Sequence, residues 1–150
     1  MTPMDPATER QEAIDLFNLV WQLLETVDRS VEQDDRMLHA AHASRFHWGE
    51  VGDPVNLVRG EWQCSRVYAV LGRSEPALHH GRRCLDLCEE HGVADFDLAY
   101  AYEALARAHA LVGDRDEVTR LIGLAEQASV DIADLDDREH LLRDLTTIPR

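Results

Sequence analysis

The sequence of 150 residues contains no lysine, and all 15 of its basic residues are arginines. Schiff-base chemistry and a P-loop both require a lysine amine, so this absence excludes both. The chain also has no HExxH motif, no GxSxG motif and no glycine-rich phosphate loop, which removes common signatures of metalloproteases, hydrolases and nucleotide-binding enzymes. An enzyme is therefore not the favoured hypothesis, although Glu61, Glu103 and the histidines leave acid–base chemistry in a helical groove open.

Cysteine and long apolar runs are also scarce. Three cysteines do not build a disulfide framework, which favours a reducing cytoplasm. No segment reaches the roughly 18 apolar residues of a membrane span, and the first residues are polar and acidic. The net charge of −14 disfavours nucleic acid and anionic membrane, because both present negative phosphates. We therefore expect a cytoplasmic protein with a basic or neutral protein or peptide as its partner.

Helical periodicity runs through the chain, and no strand pattern competes with it. Helix start signals occur at Asp5-Pro6, at Ser30 with Gln33 and at Asp53-Pro54. The pattern predicts seven helices in one all-α domain, a stack of antiparallel hairpins. The hairpins cover about 6–48, 54–91 and 95–129, and a capping helix covers 136–145. Further predicted caps are Ser74, Asp95 and Asp114, and the apolar edge of the last helix is Leu135, Leu141, Leu142 and Leu145.

The hairpins repeat imperfectly with a period of 41 residues. Gly72 and Gly113 are separated by this offset, and Trp62-Gln63 falls on Trp21-Gln22. The repeated packing places are Cys64-Ser65, Tyr68, Ala77, Cys84, Tyr102, Leu105-Ala106, His109, Val118 and Ala125. At these residues the chain resembles the tetratricopeptide repeat family, over most of residues 10–130. The family repeat has 34 residues, so the resemblance is to the longer-helix variants familiar among bacterial regulators, and implies a short α-solenoid.

This resemblance implies that the first helix of each hairpin lines a concave groove. The side chains that would face it are spaced i, i+3, i+7 on each helix. They are Asn18, Trp21 and Glu25; Arg59, Trp62 and Arg66; and Tyr100, Glu103 and Arg107. We predict that a peptide or protein segment binds there without a cofactor, its carboxylates on the arginines and its apolar side chains on the aromatic rings. The alternative is that Trp21 and Trp62 are core residues between hairpins.

Histidine and cysteine stripes support a second hypothesis, a metal-binding protein or metalloenzyme. Helical spacing places its candidate ligands on single faces of the second and fourth helices, as zinc or another divalent metal requires. The candidates are His39 and His42, with Asp35 beside them, and His80, Cys84 and Cys88. The offset of 41 places His39 over His80 and His47 over Cys88, so the stripes could meet. The alternative is that the cysteines are small core residues, because CxxxC is not the spacing of zinc ribbons.

Three further points remain open in the sequence. The acidic segment from Asp131 to Asp137 is predicted to be a solvated face and a source of helix N-terminal charge. An enzyme acting on a small molecule would need a closed pocket with convergent polar groups. Self-association, through the groove or through one end of the stack, would make the protein a homo-oligomer.

Overall fold

A computed structural model describes residues 2–150. This part of the chain is all-α, as predicted, and contains seven helices and no strand. The helices are α1 (Pro6–Glu25), α2 (Val31–Val51), α3 (Pro54–Val70), α4 (Ser74–His91), α5 (Asp95–Leu111), α6 (Arg115–Ser129) and α7 (Leu135–Thr146).

Side-chain caps fix several helix starts where the sequence places them. The Asp5 carboxylate accepts the Thr8 N–H at 3.1 Å, and Ser30 and Gln33 form a reciprocal capping box at the start of α2. Asp114 accepts the Glu117 N–H at 3.2 Å at the start of α6. Each bond satisfies an N–H group that has no partner inside its helix. These caps confirm the predicted starts of α1, α2 and α6.

Several predicted helix boundaries are wrong by one to three residues. Helix α2 passes through Gly49 and continues to Val51, because Gly52 provides its cap. Residue Arg73, not Ser74, is the N-cap of α4. Helix α7 begins at Leu135 and ends at Thr146, one residue beyond the prediction at each end.

Asp95 is the first residue of α5 and not its cap, and it has a φ of 60°. This conformation is uncommon outside glycine. The Asp95 carboxylate accepts the N–H of Phe96 at 2.6 Å and the N–H of Ala133 at 3.2 Å. The residue therefore links the start of α5 to the loop that precedes α7.

Adjacent helices pack in pairs, α1 with α2, α3 with α4 and α5 with α6. Contacts also join α2 to α3, α4 to α5 and α3 to α5, so the pairs form one body. The turn glycines Gly72 and Gly113 both have positive φ, 73° and 72°, which explains why glycine recurs at this offset. The predicted small packing residues are fully buried: Cys64, Ala77, Cys84 and Ala125.

Close packing of α4 depends on the absence of a side chain at Gly81. A Cβ atom at Gly81 would lie 3.2 Å from Leu105 Cδ2 and 3.3 Å from Ser65 Oγ. The Ser65 hydroxyl is itself fixed, because it donates to the Ala77 carbonyl at 2.8 Å. Gly81 thus lets α4 approach α3 and α5 closely.

Helix α7 packs against α5 and α6 through only part of its predicted apolar edge. Leu141 and Leu145 are buried, whereas Leu135 is 66% exposed and Leu142 is 38% exposed. Ile148, just beyond the helix, joins the same core cluster. Burying each such side chain contributes about 1.5–3 kcal/mol, so two leucines and one isoleucine provide the main attachment of α7.

No helix within residues 2–150 is both long enough and apolar enough to cross a membrane.

Candidate functional site

A row of five aromatic rings crosses α1, α3 and α5 on one side of the molecule. Trp21 stacks on Trp62 with ring centroids 5.5 Å apart, and Trp62 meets Tyr100 edge to face at 5.8 Å. Phe17 and Phe96 extend the row at its two ends. The repeat offset predicts that positions 21 and 62 are equivalent, and the structure brings the two indoles into contact.

The aromatic row forms one wall of an open cavity of about 550 Å³. The cavity lies between α1, α3, α5 and α7. Its lining residues are Phe17, Trp21, Val58, Arg59, Trp62, Cys84, Asp95, Phe96, Asp97, Tyr100, Asp137, His140 and Asp144. Trp21 remains 38% exposed. The two tryptophans therefore pack between hairpins, as the core hypothesis states, and also line an accessible surface, as the groove hypothesis states.

The polar atoms of the aromatic residues are held by carboxylates, one of them fully buried and the other partly exposed. Trp62 Nε1 donates to Glu103 Oε1 at 3.1 Å, and the Tyr100 hydroxyl donates to Asp144 Oδ2 at 2.7 Å. Burial, together with this hydrogen bond, raises the pKa of Tyr100 well above its usual value, so the hydroxyl stays protonated and donating. These bonds fix the orientation of both rings at the cavity wall.

Three of the predicted groove residues lie behind the wall. Glu103 is completely buried and accepts hydrogen bonds from Arg107 Nε at 2.9 Å and from Arg66 Nη1 at 3.5 Å. Arg107 also donates to the Asp144 carbonyl and to Thr147 Oγ1. Burial lowers the pKa of Arg66, and the charge of Glu103 opposes this shift. The three side chains form a cluster that supports Trp62 and α7, and they do not line the cavity.

Arg59 lines the cavity, but its charge is already paired within the chain. Its Nε and Nη2 atoms donate to the two oxygens of Asp97 at 2.9 and 3.2 Å. The hydrogen bond to Asp97, assisted by the charges of Asp97 and Asp137, raises the pKa of Arg59. This pairing changes the expected role of the arginine, because a ligand carboxylate would have to compete with Asp97.

Acidic side chains outnumber basic ones in the cavity lining. Asp95, Asp97, Asp137 and Asp144 contribute four carboxylates against the single guanidinium of Arg59. Asp137 belongs to the acidic segment that was predicted to be solvated; it is exposed in the first turn of α7, as predicted, and it also lines the open cavity. Asp137 and Asp144 are spaced i, i+7, which places them on one face of α7. This spacing alone does not predict that the face meets the cavity.

A second polar cluster lies between α2, α3 and α4, around the buried carboxylate of Glu61. Glu61 accepts Arg45 Nε at 2.7 Å and bonds His80 Nδ1 at 2.9 Å. Burial would raise the pKa of Glu61, but the hydrogen bond and charge of His80 and the charge of Arg45 lower it. Gly60 makes room for this arrangement, since a Cβ atom there would lie 2.7 Å from Arg45 Cδ. Sequence reasoning missed Arg45.

His42 joins the same cluster through different partners. Its Nε2 atom lies 2.8 Å from the Tyr68 hydroxyl, and its Nδ1 atom lies 3.9 Å from Cys64 Sγ. The ring centroid is 5.2 Å from that of His80. Burial lowers the pKa of His42, and the neighbouring His80 lowers it further. The same burial raises the pKa of the Cys64 thiol to about 12, so this Cys–His contact does not supply a thiolate.

The metal candidates do not converge. No three histidine, cysteine, aspartate or glutamate side chains between residues 2 and 150 are grouped so that they could hold a metal ion. Cys84 Sγ donates to the Val58 carbonyl at 3.4 Å, and its contact with Cys88 and its burial raise its pKa. The two stripes do meet, but with His42 rather than His39 against His80. The Nδ1 atom of His47 lies 2.9 Å from Glu9 Oε2 on α1.

Comparisons of the chain with protein-family models, with curated proteins and with solved structures gave no match.

Proposed function

We propose that this protein is an interaction module that binds a peptide or protein segment in the cavity between α1, α3, α5 and α7. The single observation that carries the proposal is the row of aromatic rings lining an open cavity of about 550 Å³. Tryptophan and tyrosine are enriched at binding hot spots, because each buries a large area at low entropic cost. The fixed orientation of Trp62 and Tyr100 supports recognition by a preformed surface.

We further propose that the fold is a short α-solenoid of the tetratricopeptide type, with α7 as its cap. Support comes from the paired helices, from the contact of α3 with α5 across hairpins and from the equivalent turns at Gly72 and Gly113. The cavity is lined by the first helix of each hairpin, which is the side that the resemblance assigns to ligands. The acidic cavity lining repels the phosphates of nucleic acids and anionic membranes.

Binding is favoured over catalysis by the state of the one thiol at the cavity. Cys84 lines the cavity, but its raised pKa keeps it protonated and therefore a poor nucleophile. The cavity is open to solvent rather than enclosed, whereas a small-molecule enzyme buries most of its substrate. The aromatic wall instead suits the apolar side chains of a segment lying across it.

Site-specific photo-cross-linking tests this proposal. A benzoylphenylalanine placed at Trp21, on the cavity rim, should form adducts with a bound partner in cells that produce the protein. The matched control carries the same group at Phe46, an aromatic residue on α2 that is 62% exposed and does not line the cavity. Adducts from position 21 alone support the proposal, and equal or no adduct formation from the two positions contradicts it.

A further inference from the structure

The charge of the cavity specifies what kind of side chain the ligand brings. Asp95, Asp97, Asp137 and Asp144 line it together with a single arginine. The guanidinium of Arg59 neutralises one of these carboxylates by a two-point hydrogen bond to Asp97. The lining therefore keeps an excess of negative charge beside the indole rings of Trp21 and Trp62.

Arg59 also shows which chemistry this lining accommodates. Its guanidinium lies at the cavity, held by Asp97 and close enough to Asp137 that both charges favour its protonated form. A planar guanidinium can stack on an aromatic face and donate in a fork to a carboxylate at the same time. A lysine ammonium cannot donate in such a fork, because it is a strongly hydrated point charge.

We propose that the cavity binds an arginine side chain of a partner segment, stacked on the tryptophan wall and paired with the carboxylates of α7. This inference rests on the proposed function and specifies its ligand. Asp137 and Asp144 lie on the same face of α7 and line the cavity together with the aromatic row. Asp144 already accepts the Tyr100 hydroxyl through Oδ2, and a carboxylate has lone pairs for further donors. The net charge of −14 would also attract a basic partner from a distance.

Peptide titrations followed by tryptophan fluorescence test the inference. The chain has three tryptophans, and Trp48 is buried outside the cavity. A Trp48→Phe background therefore leaves Trp21 and Trp62 as reporters, provided that its thermal unfolding remains cooperative. The probes are pools of heptapeptides with neutral, randomised flanks and a fixed central arginine, citrulline, lysine or glutamate. Citrulline matches arginine in shape but has no charge.

We expect the arginine pool to bind about tenfold more tightly than the citrulline pool, because charge-assisted forks and cation–π contacts are both lost with the charge. The variant Asp137→Asn should weaken binding of the arginine pool about fivefold. The matched control is Asp136→Asn, the same change on the neighbouring residue, which does not line the cavity. It should alter binding less than twofold, and higher salt should weaken binding in the parent protein.

Two kinds of result overturn the inference. If the arginine, citrulline and glutamate pools bind equally, the cavity binds peptides without regard to charge, and the proposed function stands while the inference fails. If the arginine pool causes no change in fluorescence, the inference fails, and cross-linking at position 21 then decides the proposed function separately. A tryptophan emission maximum that shifts with protein concentration in the absence of peptide would assign the cavity to a second copy of this chain. That result would also overturn the inference.

Discussion

Replacing Glu103 by glutamine should destabilise the protein strongly, although the side chain keeps its size. Glu103 is fully buried and accepts three hydrogen bonds, from Trp62, Arg66 and Arg107. A glutamine amide at this position carries no charge. Its NH2 group would also face the N–H donors of the surrounding side chains, which need an acceptor. Both arginine side chains are mostly buried, with 26% and 13% of their surface exposed, so solvent screens the lost charge only in part.

The expected loss is about 3 kcal/mol. Breaking a buried ion pair by removing one partner costs about 3–5 kcal/mol, and the partial exposure of the two arginines places the value at the lower end. Urea denaturation at neutral pH measures this directly. At a slope of about 2 kcal/mol per molar urea, the unfolding midpoint should fall by about 1.5 M.

An exposed ion pair provides the matched control. Asp86 lies 3.9 Å from Arg83, and both side chains are 43% exposed, so Asp86→Asn should change the free energy of unfolding by less than about 0.5 kcal/mol. A double-mutant cycle of Glu103→Gln with Arg107→Met should show a coupling of about 1.5 kcal/mol. If Glu103→Gln is as mild as Asp86→Asn, the buried cluster does not stabilise this fold and the reasoning fails.

Three other perturbations follow from the core. The pKa of His42 is lower in the folded protein than its unfolded value of 6.5, so His42 binds fewer protons in the native state. The free energy of unfolding should therefore fall as the pH falls below about 6.5. His42→Gln should reduce this loss, as measured by urea titrations at several pH values. The buried thiols, Cys64 among them, should resist iodoacetamide in native protein and react in urea, as mass spectrometry would show. Gly81→Ala should cost about 1–3 kcal/mol by crowding Leu105, measured by urea denaturation.

Each of these predictions has its own control or contrary result. For the glycine, Gly123→Ala is the matched change, because the added Cβ would meet no atom beyond its own stretch of helix within 4 Å, and it should stabilise α6 by about 0.5–1 kcal/mol. Equal effects at both glycines would contradict the close approach of α4. A stability that is flat between pH 7.5 and 5.5 would contradict the environment assigned to His42. Rapid alkylation of native protein would show that the thiols are accessible.

The repeat offset predicted which positions meet, but not what chemistry they have. Positions 21, 62 and 103 are equivalent at the offset of 41, and the structure stacks Trp21 on Trp62 and bonds Trp62 to Glu103. The sequence suggested that Glu103 faces a groove. Its burial follows from the two arginines that surround it, and such charge pairing depends on side-chain directions that spacing alone does not define.

Two parts of the site were beyond sequence reasoning for different reasons. Helix α7 has no counterpart in the repeat, so no offset relates Asp137 and Asp144 to the aromatic row. The contact between Arg45 and Glu61 depends on how closely α2 approaches α3, which is set by the missing Cβ atom of Gly60. A helical pattern predicts the faces of helices and leaves the distances between them undetermined.

The position of α7 at the cavity gives its attachment a thermodynamic consequence. The helix supplies Asp137, His140 and Asp144 to the lining, and polar bonds from Tyr100 and Arg107 to Asp144 tie it to α5. Any ligand that contacts both α7 and the aromatic row binds only the docked state of this helix, and so must suppress its local detachment. Amide exchange in residues 135–146 should therefore slow in proportion to ligand occupancy, so that the last helix of the chain reports on binding.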